Sequence, residues 1–129
     1  MLTSHDIGVA GQIGKYGDAI EVSPGTRWLF TSGTPGLATD DSLPNDIAGQ
    51  AEIAWSHIVT LLERAGMTVH DVVKVTQYLL HGEHIKPYAE VRARFLVDAR
   101  PASMLLVVPE LVRPEFLLEV EVIAARETA

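Results

Sequence analysis

The chain has 129 residues, 47% of them hydrophobic and 21% charged, with a formal net charge of −7 and no cysteine. A length near the usual size of one domain predicts a single domain over residues 1–129, with a core that folds without staples. The missing cysteines exclude a disulfide framework, a thiolate zinc site and a cysteine nucleophile.

The acidic balance, with Lys and Arg scattered along the chain, argues against nucleic acid as a partner, because affinity for a phosphate backbone needs clustered cations. Residues 1–20 have no continuous apolar stretch of the kind a leader needs, and no run of about eighteen apolar residues occurs anywhere. The expectation is a cytoplasmic protein without membrane contact.

Residues 20–23 and 28–31 are short β-favouring runs around Pro24-Gly25-Thr26-Arg27, whose turn chemistry predicts a hairpin. From Ile47 the apolar positions Ile47, Ala51, Ala54, Trp55, Ile58, Leu61, Leu62 and Ala65 recur every three or four residues. That period predicts a helix with Asn45 as N-cap and Gly66 as its stop. Residues 72–80 are rich in β-branched side chains and read as a strand. Over residues 85–95, Ile85, Tyr88, Val91, Arg92 and Phe95 fall at helical spacing. Residues 104–108 and 116–125 read as two further strands separated by Pro109 and Pro114. Strands and helices in this order predict an α+β sandwich of two layers, with two helices on one face of a mixed sheet.

The second face of that sheet carries an implication for assembly. Along the last strand Phe116, Leu118, Val120 and Val122 alternate with Leu117, Glu119, Glu121 and Ile123, while residues 104–108 are apolar on both sides. Two helices cover one face, so a homo-oligomer closing over the other is expected. His81 and His84 flank Glu83 at a spacing two metal ligands share, yet a third ligand is lacking nearby, so a polar loop without metal is expected. Gly33-Thr34-Pro35-Gly36 lacks the Lys and the glycine spacing of a phosphate loop.

Gly14-Lys15-Tyr16-Gly17, Phe30-Thr31-Ser32-Gly33, the helix over 50–66, Asp71-Val72-Val73-Lys74-Val75-Thr76, Pro101-Ala102-Ser103 and Leu118-Glu119-Val120-Glu121-Val122-Ile123-Ala124 stand in the order and spacing of one family. Over essentially its whole length the chain resembles the RidA family (Rid/YjgF, reactive intermediate imine deaminases, L-PSP endoribonuclease-like), and most closely the members lacking the catalytic arginine. The resemblance implies a chorismate-mutase-like fold assembled as a homotrimer. It also implies small-molecule ligands in clefts between subunits, with no metal or organic cofactor. The activity implied is hydrolysis or deamination of a small imine, enamine or related reactive metabolite. The alternative is a non-catalytic trimer that binds a small metabolite, and the net charge weighs against the ribonuclease activity attached to some relatives.

By the same resemblance, Tyr16 borders the ligand, Ser32 and Gly33 face it, and Glu119 holds the hydrolytic water; Glu119 and Tyr16 are the candidate catalytic pair. Tyr88 stands where deaminating members usually have asparagine, and Leu105 where they commonly have cysteine. Ser103 occupies the place of the arginine that grips a substrate carboxylate. A hydroxyl offers one neutral donor where a guanidinium offers charge and two parallel donors. Simple α-imino acids are therefore expected to be poor substrates unless Arg100, three residues away, supplies the missing cation.

Overall fold

The computed structural model describes residues 2–128. In chain order the elements are β1 (Leu2–His5), the single turn α1 (Ala10–Ile13), β2 (Ala19–Val22), β3 (Thr26–Phe30), β4 (Thr34–Pro35), α2 (Ile47–Arg64), β5 (Val72–Leu79), α3 (Ile85–Leu96), β6 (Ala102–Val107) and β7 (Leu118–Glu127). The main sheet is mixed. β7 pairs antiparallel with β3 and β4 along one side and with β5 along the other, and β6 joins β5 in parallel. The β5–α3–β6 segment is the crossover that a parallel pair requires.

The predicted hairpin does not form. β2 pairs instead with β1, Leu2 opposite Val22, and β3 pairs with β7, Phe30 opposite Ile123. Pro24 and Gly25 still turn the chain, but they connect two sheets: β2 closes a separate two-stranded sheet with β1, and β3 joins the main sheet. On the β7 edge, Leu29 packs against the core. β1, α1 and β4 are short elements without a periodic signal in the sequence.

α2 follows its apolar stripe: Ile47, Ala51, Ala54, Trp55, Ile58 and Leu62 are buried, whereas Leu61 is exposed. Its N-cap is Asp46 rather than Asn45, and neither side chain donates or accepts a capping bond there. The helix ends as predicted at Gly66, whose φ of +71 is the left-handed conformation glycine adopts without strain. Met67 N donates to Leu62 O at 2.8 Å and Gly66 N to Glu63 O at 3.0 Å, a Schellman end that folds Met67 into the core.

Past a bulge between Val72 and Lys74, strand register assigns the side chains of β5 and its neighbours to two faces. Val75 aligns with Val122 and Ser103, Gln77 with Val120 and Leu105, and Leu79 with Leu118 and Val107, all on the face covered by α2 and α3. Tyr78 aligns with Glu119 and Leu106, and Thr76 with Glu121 and Met104, on the opposite, open face. That face also carries Trp28 and Phe30, whose rings stack at 6.1 Å and which are 48% and 68% exposed.

Candidate functional site

A cleft of about 600 Å³ lies between α3, β6 and the loop that precedes β2. Backbone pairing brings that loop in: Gly17 bridges to Ala102 and its N–H donates to Pro101 O at 3.1 Å, which sets Tyr16 at the cleft wall. The loop is tied further by Asp18, whose carboxylate accepts from Ile7 N and Ala10 N, each at 2.8 Å. Those amide bonds, Ala10 first, hold the Asp18 carboxyl below its ordinary value. Ser103 and Leu105 face the cleft from β6, and Arg100 stands at its rim. The Arg100 Nη1 donates to Val97 O at 3.1 Å and Ala99 O at 2.9 Å, satisfying carbonyls just past the end of α3.

Behind Ser103 a polar network runs through an otherwise apolar core. Trp55 Nε1 donates to Tyr88 Oη at 3.3 Å, and the Tyr88 hydroxyl donates to Gln77 Oε1 at 2.6 Å. Arg92 Nη1 donates to the same oxygen at 2.7 Å. Gln77 Nε2 donates to Ser103 Oγ at 3.0 Å and to Met104 O at 2.9 Å. Tyr88 and Arg92, one helical turn apart on α3, thus converge on one amide that is fully buried and fully satisfied. Burial pushes the Tyr88 phenol well above its ordinary value, so it remains a donor.

Glu119 belongs to a second hollow, of about 380 Å³, with Gly33, Tyr78, Val108 and Leu111. The backbone of Gly33 approaches so closely that a β-carbon there would sit 2.7 Å from Glu119 Oε1. Neither a hydrogen bond nor an ion pair engages this carboxylate among the described residues, although it sits half-buried on a central strand. Ser32, next to Gly33, is exposed and its carbonyl accepts from Thr34 Oγ1 at 3.1 Å.

Residues 8–126 match the family model described as Endoribonuclease L-PSP. The chain belongs to this L-PSP family, that of the Rid and YjgF proteins. A RutC family protein of Pyrococcus horikoshii is 32% identical over 117 residues, covering 89% of this chain and 90% of its own. Among solved structures, Escherichia coli TdcF with bound serine is 26% identical with a TM-score of 0.74, covering 89% of this chain and 91% of TdcF. The Rid family protein YyfB of Yersinia pestis has a TM-score of 0.84 over 97% of this chain and 98% of its own, at 23% identity.

As an L-PSP family member the chain distributes its expected site residues unevenly. Tyr16, Arg100, Ser103 and Leu105 meet in the α3–β6 cleft, and Glu119 and Gly33 meet in the second hollow. Tyr88 is a correction: its ring is wholly buried and its hydroxyl serves Gln77, so the side chain facing the cleft is its neighbour Ala89. His81 and His84 lie around a 3₁₀ turn leading into α3 with their rings edge to face at 5.1 Å. Groups of three or more potential metal ligands do not occur among the described residues, and none of their helices is long and apolar enough to cross a membrane.

The residue that sequence reasoning passed over is Arg92, counted only as part of a helical period. Its signal was Gln77, a polar side chain at an inward position between Val75 and Leu79. A buried amide requires partners, and the residues of α3 able to supply them are Tyr88 and Arg92.

Proposed function

We propose that this L-PSP family protein is a cofactor-free, Rid-type hydrolase of a small imine, enamine or related reactive metabolite, working as a homotrimer. Each site would combine the α3–β6 cleft of one chain with the Glu119–Gly33 hollow of its neighbour. The observation that carries this reading is the strand register, in which Ser103 faces the helices and Glu119 the open side of the same sheet. One chain cannot direct both at one ligand, whereas a neighbouring copy packed against the open face can.

Two further features support it. The open face presents Trp28, Phe30, Met104 and Leu106, between 43% and 68% exposed, an apolar surface suited to burial in an assembly. Glu119, without a cation or donor among the described residues, is available as acceptor for a water. In the proposed reaction that water adds to the C=N carbon as Glu119 takes its proton. The nitrogen is protonated, with the Tyr16 hydroxyl within the same cleft as relay, and leaves as ammonia while a carbonyl remains. The serine bound to TdcF is a ligand of the size such a cleft admits. Ribonuclease action is disfavoured by the net charge of −7.

Ammonia release from 2-iminobutanoate and related imines, followed with semicarbazide as competing trap, tests the reading. The expected result is turnover above background that falls about 10²- to 10⁴-fold in Glu119→Ala. Saturable binding without turnover would favour the metabolite binder, a reading that draws on Ser103 standing in the place of the family arginine. Equal turnover in the folded Glu119→Ala variant would remove Glu119 from the chemistry.

A further inference from the structure

The α3–β6 cleft differs in charge from the rest of the molecule. Its lining includes four cationic side chains, Lys15, Lys86, Arg92 and Arg100, and one carboxylate, Glu90, in a chain whose net charge is −7. Local charge of this sign, opposed to the sign of the whole protein, favours an anionic ligand.

The four cations are not equivalent. Lys15, Lys86 and Arg100 are exposed, so water and salt screen them, and Arg100 already spends Nη1 on the carbonyls of Val97 and Ala99. Arg92 is half-buried, with its guanidinium carbon 5.4 Å from the centre of the Tyr88 ring and Nη1 fixed by Gln77 Oε1 at 2.7 Å. Gln77 is itself locked by Tyr88, Ser103 and Met104. Two contacts therefore hold the guanidinium plane. Its Nε–H and Nη2–H groups have no partner among the described residues and form the side-on edge of the fork, two parallel donors that match the two oxygens of a carboxylate. Ser103, whose oxygen accepts from Gln77, keeps its own O–H to give. Ile85, Leu96 and Leu105 supply apolar surface for the rest of a ligand.

The geometry points to Arg92 as the group that takes the carboxylate of a small organic acid in this cleft, oriented by Gln77 and Tyr88 from behind. The ligand class is a short monocarboxylate with an apolar body. This rests on the reading of the α3–β6 cleft as the ligand half-site, and it places the cation on a helix, one layer away from the strand position that Ser103 fills.

Two probes separate the parts of the argument: butanoate, and the neutral butanamide of the same shape. Binding is titrated by NMR, read at the methyl groups of Leu105 and Ile85, with inorganic phosphate as a third probe. Wild type is expected to bind butanoate at least about tenfold more tightly than butanamide. Arg92→Met, which keeps most of the stem, should lose that preference while still binding butanamide; Arg92→Lys should recover part of it; Arg64→Met, the same charge change on the exposed end of α2, should alter nothing. Retained methyl dispersion and melting behaviour certify the fold of each variant.

Equal affinity of wild type for the two probes would overturn the role of Arg92 while leaving a ligand cleft in place. A preference that survives Arg92→Met and disappears in Arg100→Met would assign the carboxylate to Arg100 instead. Phosphate bound more tightly than butanoate would overturn the ligand class. Methyl groups unmoved by any probe would overturn both this inference and the cleft reading beneath it.

Discussion

Replacing Gln77 with leucine keeps the side-chain volume and removes the amide on which the network converges. Gln77 is fully buried, and its two amide atoms make four hydrogen bonds: from Tyr88 Oη and Arg92 Nη1, and to Ser103 Oγ and Met104 O. In Gln77→Leu the Tyr88 proton loses its partner in low-dielectric surroundings, a loss worth about 1 to 3 kcal/mol. Arg92, Ser103 and Met104 border the cleft and recover water, so they add little. The expected loss of stability is about 1 to 3 kcal/mol by urea unfolding, with an unchanged slope.

Tyr88→Phe should cost about 1 to 2 kcal/mol, since it leaves Trp55 Nε1 without its acceptor. The double variant removes the stranded hydroxyl along with the amide, so it should cost less than the sum of the singles by about 1 kcal/mol or more. Additive losses, or a Gln77→Leu protein as stable as wild type, would refute the network as described. A Gln77→Leu variant that also loses preference for butanoate over butanamide would connect the network to the cleft.

Other outcomes follow from single features. Gly33→Ala puts a β-carbon 2.7 Å from Glu119 Oε1; turnover should fall with little change in melting temperature, and unchanged turnover would separate Gly33 from the chemistry. Burial raises the Tyr88 pKa above its ordinary 10.0, so that group's contribution to stability is present below pH 10.0 and is lost as pH rises beyond it. Above that point the wild-type stability curve should fall more steeply than that of Tyr88→Phe, by up to about 1.4 kcal/mol per pH unit, in urea titrations at successive pH values. Light scattering should return three times the 14.0 kDa chain mass, and Phe30→Asp, which alters an exposed side chain of the open face, should lower that mass while the chain stays folded.

The long elements were legible because burial imposes their periods. α2 stops at Gly66 and buries its predicted stripe apart from Leu61, and the alternation of Leu118, Val120 and Val122 with Glu119 and Glu121 assigned both faces of β7 correctly. Pairing partners were not legible. Nothing local to residues 19–30 says that β2 closes on β1 while β3 crosses to β7, because that choice is made by where Leu29 finds a core. The helical spacing of Tyr88 with Val91 reads its burial correctly, whereas the resemblance assigns it to the ligand; one residue along the helix, a turn of about 100°, separates the core from the cleft that Ala89 lines. Tyr16 reached the cleft through the contact of Gly17 with Pro101, a pairing between segments more than eighty residues apart that no window on the sequence contains.

In the proposed trimer a working site takes Tyr16 and the α3–β6 cleft from one chain and Glu119 from the next. Mixing Glu119→Ala and Tyr16→Ala proteins, unfolding and refolding them together in equal amounts, and measuring imine hydrolysis against each variant refolded by itself tests this sharing. In a closed ring of head-to-tail contacts, random assembly pairs two intact halves at about a quarter of the sites. About a quarter of wild-type turnover should return on mixing; turnover no greater than the average of the two separate variants would rule out a site shared between chains.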